Sequence, residues 1–414
     1  MFGALNASRL RLGIVGLALV PLVVAGCGGN SGSGGSSSTA TDDALLGTPN
    51  KATGSPIVIG VNNPGKTPTI DVSTELTAIT ALVKYANDYL GGINGHVIQI
   101  KNCDTLDAPA SQLDCANQAI SAKVSAVIQA SGDDNTIKTV TAGGIPMMVG
   151  LGASQTALSA PNLFSLGNGL GVYGAPAIHA KEKGYKNAAL LVIDVPGASG
   201  PAKQLGPAFF KNAGADLNVV PIAPGTADMT PQVQATLSKN PQMFYVLGNP
   251  AFCTSAIKAV KTLAPTTDIL MLQNCIQQGA TGIPGGYAGI KTVTTQAADQ
   301  TDKEYQLFLA IQKKYSGATD SQAVFGYVPM MGLIRALTAA KVTDITAAGV
   351  AAAIKSAPAV PIPLGLGATF KCDGTAISIS KNICSTAAFL ADTDAAGKNS
   401  NFKVQEDPAI YKLG

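Results

Sequence analysis

The chain has 414 residues, 46% of them apolar and 13% charged, with 28 basic against 25 acidic side chains. That length allows two domains, and the apolar fraction excludes a disordered chain. A formal charge of +3, no Trp and 5% aromatics exclude a basic nucleic-acid face or a base-stacking platform, and two histidines, His96 and His179, cannot build a His-rich metal centre.

Arg9 and Arg11 are the only charges before residue 42, and an apolar run from Leu12 to Ala25 follows them. At ~1.5 Å per helical residue that run is too short to cross a hydrocarbon core of ~30 Å. A charged start, an apolar middle and a small-residue end make a secretory signal. The end, Val24-Ala25-Gly26-Cys27, resembles the bacterial lipobox, in which the Cys is lipidated and becomes the new N-terminus. The resemblance implies a lipoprotein signal peptide over 1–26 and attachment to the outer face of the cell membrane through Cys27. The alternative is an ordinary signal peptide with an incidental Cys. Residues 27–55 open with a Gly/Ser run of the composition of a flexible tether.

From Ile57 onward short apolar runs alternate with helical periods. Ile57–Val61 reads as a buried strand, Leu76, Ile79, Val83, Ala86 and Leu90 as one helix stripe, and Val97–Ile100 as the next strand. A helix over about 111–122, a strand at Ser125–Ile128, a helix near 135–142 and a strand at Pro146–Val149 continue the βα alternation of a parallel sheet. The pattern restarts at a helix over Tyr173–Lys183. Strands follow at 188–193, 218–220, 243–247 and 268–272, separated by helices over 201–213, 230–238 and 253–263. Two further helices are predicted at Glu304–Tyr315 and Val328–Ala340, ahead of a Gly-rich, strand-like tail from Pro361. In such sheets ligands bind outside the carboxyl ends of the strands, which singles out the loops 129–134, 150–156, 194–200, 248–253 and 273–277.

Beyond Cys27 six cysteines remain, Cys103, Cys115, Cys253, Cys275, Cys372 and Cys384. In an exported chain they suggest three disulfides among 15 possible pairings. Nearest-neighbour pairing is the expected one, and each loop would stabilise by about 3 kcal/mol. No Cys-x-x-Cys and no neighbouring His supports a metal site instead.

Four stretches carry a family resemblance: Leu90-Gly91-Gly92-Ile93-Asn94-Gly95 before a strand, Gly225-Thr226-Ala227-Asp228-Met229-Thr230-Pro231-Gln232-Val233, Val324-Phe325-Gly326-Tyr327 ahead of a helix, and the lipobox. In their order and spacing the chain resembles type 1 periplasmic binding proteins of the branched-chain amino acid class, over nearly all of 56–390. The resemblance implies two Rossmann-like lobes with parallel sheets, joined by three crossing strands and closing on a small solute. It implies a first lobe of 56–168 plus 298–360 and a second of 169–297 plus 361–414. It further implies a monomer working with the permease and ATPase subunits of an ABC importer, with no catalytic residue and no cofactor.

Carried onto this chain, the resemblance puts ligand contacts after the fourth strand, Ser154 donating to a carboxylate and the Gly152 carbonyl accepting from an ammonium, and at Ser131 after the third, where Asp133 and Asp134 have also entered. Helix capping is the alternative role of both serines. Departures are equally specific. Asn274 stands where leucine-type receptors carry an acid in the second lobe, the acid of the first crossing falls in Gly167-Asn168-Gly169-Leu170, and two cleft tyrosines become Ala198 and Asn249. Phe325 and Tyr327 remain as aromatic candidates for the cleft, with core packing as their alternative. A buried ammonium needs an opposite charge. Either Asp133 or Asp134 supplies it, or the solute is amide-like, urea-like or hydroxylated.

The sequence leaves two other classes open. A ligand-sensing or adhesion module of the same fold would need no permease. A dinucleotide-binding enzyme is suggested by Gly169-Leu170-Gly171-Val172-Tyr173-Gly174, a G-x-G-x-x-G between a strand and a helix; export argues against it. No G-x-S-x-G frames a serine nucleophile, and neither histidine has an obvious nucleophile partner.

Overall fold

The computed structural model describes residues 44–413, apart from 69, 279 and 317. The leader, Cys27 and the first part of the tether lie outside the described residues. Strands β1 (Gly54–Asn63), β2 (His96–Asp104), β3 (Ala126–Ser131), β4 (Met147–Gly152) and β5 (Leu163–Asn168) form one sheet in the order β2-β1-β3-β4-β5, every pair parallel. Its connections carry helices α1 (Ser73–Tyr89), α2 (Pro109–Ser121), α3 (Asp134–Ala142) and the single-turn α4 (Gln155–Ser159). The predicted stripe is the buried face of α1, through Ile79, Val83 and Ala86. Gly91 and Gly92 then reverse the chain at positive φ. A Cβ on Gly92 would lie 2.0 Å from the His96 carbonyl, so the turn into β2 admits only glycine there.

Helix α5 (Gly171–Lys183) starts the second unit. It continues with β6 (Asn187–Ile193), α6 (Pro196–Asn212), β7 (Asp216–Ile222), α7 (Thr230–Leu237), β8 (Met243–Leu247), α8 (Pro250–Leu263), β9 (Asp268–Leu272) and β10 (Ile290–Thr294). These five strands are parallel in the order β10-β9-β8-β6-β7. Two late strands, β13 (Ala388–Thr393) and β14 (Asn399–Gln405), extend the β10 edge antiparallel. The hairpin falls in the tail expected to be strand-like, without predicted bounds, and β10, a Thr-containing strand after a Gly-rich stretch, has no predicted counterpart.

Between β10 and the hairpin the chain returns to the first sheet. Helices α9 (Lys303–Tyr315), α10 (Ser321–Ala339) and α11 (Ala347–Ser356) follow, then the short hairpin β11 (Val360–Pro361) and β12 (Thr369–Phe370). Tyr327, Met330, Leu333 and Leu337 of α10 share one core with Ile59, Leu82, Met148 and Phe164, and Ile362, Leu364 and Phe370 join it. Helix α10 starts earlier than its period suggested. Asp320 caps it, accepting from the Gln322 and Ala323 amides at 2.8 and 3.0 Å, and the helix absorbs Gly326 and Pro329. The stretch 382–384 runs beside β5, where Ser165 N–H donates to the Asn382 carbonyl at 2.8 Å.

The three disulfides join Cys103 to Cys115, Cys253 to Cys275 and Cys372 to Cys384, the nearest-neighbour pairing. The G-x-G-x-x-G glycines serve packing. A Cβ would meet the Gly152 carbonyl at 2.5 Å from Gly169, Ala388 at 2.7 Å from Gly171 and the Tyr411 hydroxyl at 2.1 Å from Gly174. Protein atoms fill the space a pyrophosphate would need.

Candidate functional site

Two neighbouring cavities open at the carboxyl ends of the strands. The first, about 450 Å³, lies over β1, β2 and β3. Its walls are Val72 before α1 and Glu75 in its first turn, Thr105 and Asp107 of the β2–α2 connection and Gln112 in the first turn of α2, and Gln129, Ser131, Gly132 and Asp133 at and after the end of β3. The second, about 480 Å³, brings Gln273, Asn274 and Ile276 of the second unit against Gln296, Ala298 and Gln300 and the β13–β14 turn with Lys398. Gln322 and Phe325, on the first turns of α10, line both. Together they form one cleft between the units, walled by side-chain amides and carboxylates with two aromatic rings, Phe325 and Phe402. Such walls offer hydrogen-bond donors and acceptors beside apolar faces.

Helix α10 reaches the cleft because its neighbours allow a close approach. A Cβ on Gly326 would lie 2.4 Å from the Glu75 carbonyl, so the two helices touch backbone to backbone at the residue beside Phe325. Pro329, one turn on, has no N–H to give the Phe325 carbonyl.

The sequence-predicted residues divide. Ser131, Asp133 and Asn274 lie on the cleft wall. Asp133 caps α3, accepting from the Thr136 amide at 2.8 Å, and also accepts from Gln129 Nε2 at 2.9 Å. Asn274 donates to the Gly248 carbonyl at 3.0 Å. Gly152, Ser154 and Asn249 line neither cavity. Gly152 is a β4 residue whose amide donates to Ser165 Oγ at 2.9 Å. Ser154 caps α4, accepting from the Ala157 amide at 3.1 Å, and donates to Asp134 Oδ1 at 2.6 Å. Asn249 caps α8 through the Phe252 amide at 2.9 Å. Capping explains both serine and asparagine there without a ligand.

Asp134 is likewise taken up by the Ser154 and Thr156 hydroxyls at 2.6 and 2.8 Å. Tyr327 is a core residue, 0% exposed, edge-on to Phe308 with ring centroids 5.1 Å apart. Its neighbour Phe325 lines the cleft, as does Phe402 of β14; a helix capped at Asp320 turns residue 325 outward and 327 inward. His179 is satisfied by Asp268, Nε2 to Oδ2 at 2.7 Å, and His96 by the Ser55 carbonyl at 2.9 Å.

Glu75 is the cleft acid the sequence reading passed over. It is 7% exposed, and Asn63 Nδ2 donates to its Oε2 at 2.7 Å. Burial, with the nearby Asp320 charge adding to it, pushes its carboxyl up to about 7, against the opposing Asn63 hydrogen bond. Because the folded-state value lies above the ordinary 4.5, the native state holds this proton more tightly than the unfolded chain. Glu75 therefore favours the fold most below pH about 4.5, and that contribution fades as pH rises to about 7. Urea midpoints across that window should fall less in Glu75→Gln than in wild type; parallel profiles would contradict the assignment.

The rule that ligands sit at carboxyl ends of strands, applied to β1 and β2 as well as to later strands, would have named both Glu75 and Gln112.

A sequence model of the periplasmic binding protein family matches residues 56–392. The chain belongs to the periplasmic binding protein family. Membership implies an extracytoplasmic location, and among the described residues no helix is long and apolar enough to cross a membrane. Solved periplasmic binding proteins and their relatives share the fold at low identity. An ABC transporter substrate-binding protein from Sphaerobacter thermophilus is similar at 17% identity and TM-score 0.66, over 86% of this chain and 100% of that one. One from Desulfitobacterium hafniense, in complex with Leu, matches at 15% and 0.65, over 83% and 99%. A solute binding protein from R. palustris, in complex with 4-hydroxybenzoate, matches at 18% and 0.61, over 85% and 98%. No curated protein matches the sequence.

Proposed function

We propose that this protein is the solute-capturing lipoprotein of an ABC importer, anchored outside the cell through Cys27 and delivering a small polar solute to a membrane permease. The observation that carries the reading is the cleft itself, assembled from both α/β units and lined by Gln273, Asn274, Gln296, Gln322 and Phe325. A solute touching both walls binds the closed arrangement better than the open one, and so shifts the population toward closure. The lobes exchange at 168/169 and 297/298, and the chain returns finally to the second sheet at β13; these crossings act as the hinge. Amino acids and amide-like solutes suit the walls, since the side-chain amides offer both donors and acceptors. The neighbours bound to Leu and to 4-hydroxybenzoate support a small organic solute and leave its class open.

Calorimetric titration with amino acids, amides and polyols tests the reading. At least one class is expected to bind, and Phe325→Ala to weaken it about tenfold to a hundredfold through lost apolar and ring contact. Equal affinity in Phe325→Ala would place the solute elsewhere.

A further inference from the structure

The half of the cleft over β1–β3 has a chemistry of its own. Glu75, Asp107 and Asp133 line it, and no Lys, Arg or His stands among the described residues of its wall. Among the described residues Glu75 forms no ion pair, and its one hydrogen-bond partner is Asn63, on Oε2. A second, independent observation comes from Gln129, which is 3% exposed. Its Nε2 donates to Asp133 Oδ2, which fixes the orientation of the amide, and its buried Oε1 has no hydrogen-bond partner. A buried acceptor left unmatched costs about 1–3 kcal/mol, and a buried carboxylate without a cation costs more. The same cavity therefore holds a buried carboxyl group with no cationic partner among the described residues and a side-chain carbonyl with no donor.

We propose that this cavity is a cation subsite in which the Glu75 carboxylate and the Gln129 side-chain carbonyl accept N–H donors from an ammonium, amidinium or guanidinium group of the solute. The inference rests on the solute-binding reading above and names a chemical class within it. Asp133 plays a positioning part: its two oxygens take the Thr136 amide and Gln129 Nε2, which turns Gln129 Oε1 away from it. Asp107 and Ser131 complete the wall. The carboxylates do not gather as a metal-ligating group among the described residues, which favours an organic cation with directed donors.

The subsite has a pH signature. Groups around Glu75 on the packed elements are Asp320 at the start of α10, Asp107 on the β2–α2 connection, Asp133 after β3, and the Lys66–Asp71 ion pair ahead of α1. Lys66 and Asp71 are paired with one another, and burial raises the Glu75 carboxyl to about 7, so its charge changes near neutrality. A cation should bind more tightly at pH 8 than at pH 6.

The test is calorimetry of the processed full chain with putrescine, agmatine, arginine and lysine, against acetamide and glycerol as uncharged controls, at pH 6 and 8. At least one cationic probe is expected to bind wild type, and Glu75→Gln to lose about tenfold or more at pH 8 with the pH dependence abolished. Gln129→Leu, which removes the second acceptor, should also weaken cation binding. Glu75→Gln should fold at least as well as wild type, because it removes a buried charge. Equal binding of the cations to both proteins, or binding of the neutral probes alone, overturns the subsite and leaves solute capture standing. Binding of no probe, together with no response to the wider amino acid, amide and polyol panel, overturns both.

Discussion

Gly326→Val is expected to cost the fold about 3 kcal/mol or more, seen as a lower urea midpoint with an unchanged slope. A Cβ at this position would stand 2.4 to 2.8 Å from the carbonyl oxygen, Cα and carbonyl carbon of Glu75. Those are backbone atoms, which no side-chain rotation can move aside. Valine adds two methyls beyond that Cβ, so α1 and α10 must part or the α1 start must unwind. Helix α10 packs across the first sheet and carries Tyr327 and Met330 into the core, and a shift there opens contacts along its length. The same substitution displaces Phe325 and Glu75, so solute affinity should fall with stability. A wild-type midpoint would mean that the helices are not in backbone contact.

The Cys253→Ala/Cys275→Ala double variant is expected to lose about 3 kcal/mol, the loop-closure contribution of a bridge of this span. Both sulfurs are buried, and alanine avoids leaving hydroxyls unsatisfied where serine would not. The bridge ties α8 to the turn that presents Gln273, Asn274 and Ile276 to the cleft. Solute affinity should therefore fall too, mainly through a faster off-rate as that wall loosens. The Cys103–Cys115 bridge performs the same task on the opposite wall, enclosing Thr105, Asp107 and Gln112. A double variant with wild-type stability and affinity would show that the turn is held by packing alone, through Tyr287, whose hydroxyl donates to the Cys275 carbonyl at 2.9 Å.

The fold was legible wherever burial left a period in the sequence. Ile57–Val61, the α1 stripe and the strands at 188–193 and 243–247 are fully or half buried, and their apolar patterns say so. Strand β10 mixes Thr and Lys with its apolar residues, and the β13–β14 hairpin, which ends the sheet at β14, mixes in Asp and Asn, so their pairing rests on tertiary context. Gly326 and Pro329 hid the first turns of α10, because both residues normally weaken a helix; here one permits a helix contact and the other sits beside the cleft. The site was legible only in part. Ser154 and Asn249 carry the residue types of both a ligand contact and a helix cap, and nothing in a linear sequence separates the two. In sequence Glu75 is indistinguishable from any acid in the first turn of a helix. Its meaning comes from Asn63 and Asp320, which the fold brings to it from the end of β1 and the start of α10.

Small-angle X-ray scattering of the processed chain, alone and saturated with a solute found by calorimetry, tests the two-lobed clamp most directly. Closure of the units over the cleft predicts a smaller radius of gyration in the bound state, and loss of that change in Phe325→Ala at the same solute concentration. Tight binding with an unchanged radius would contradict capture by lobe closure.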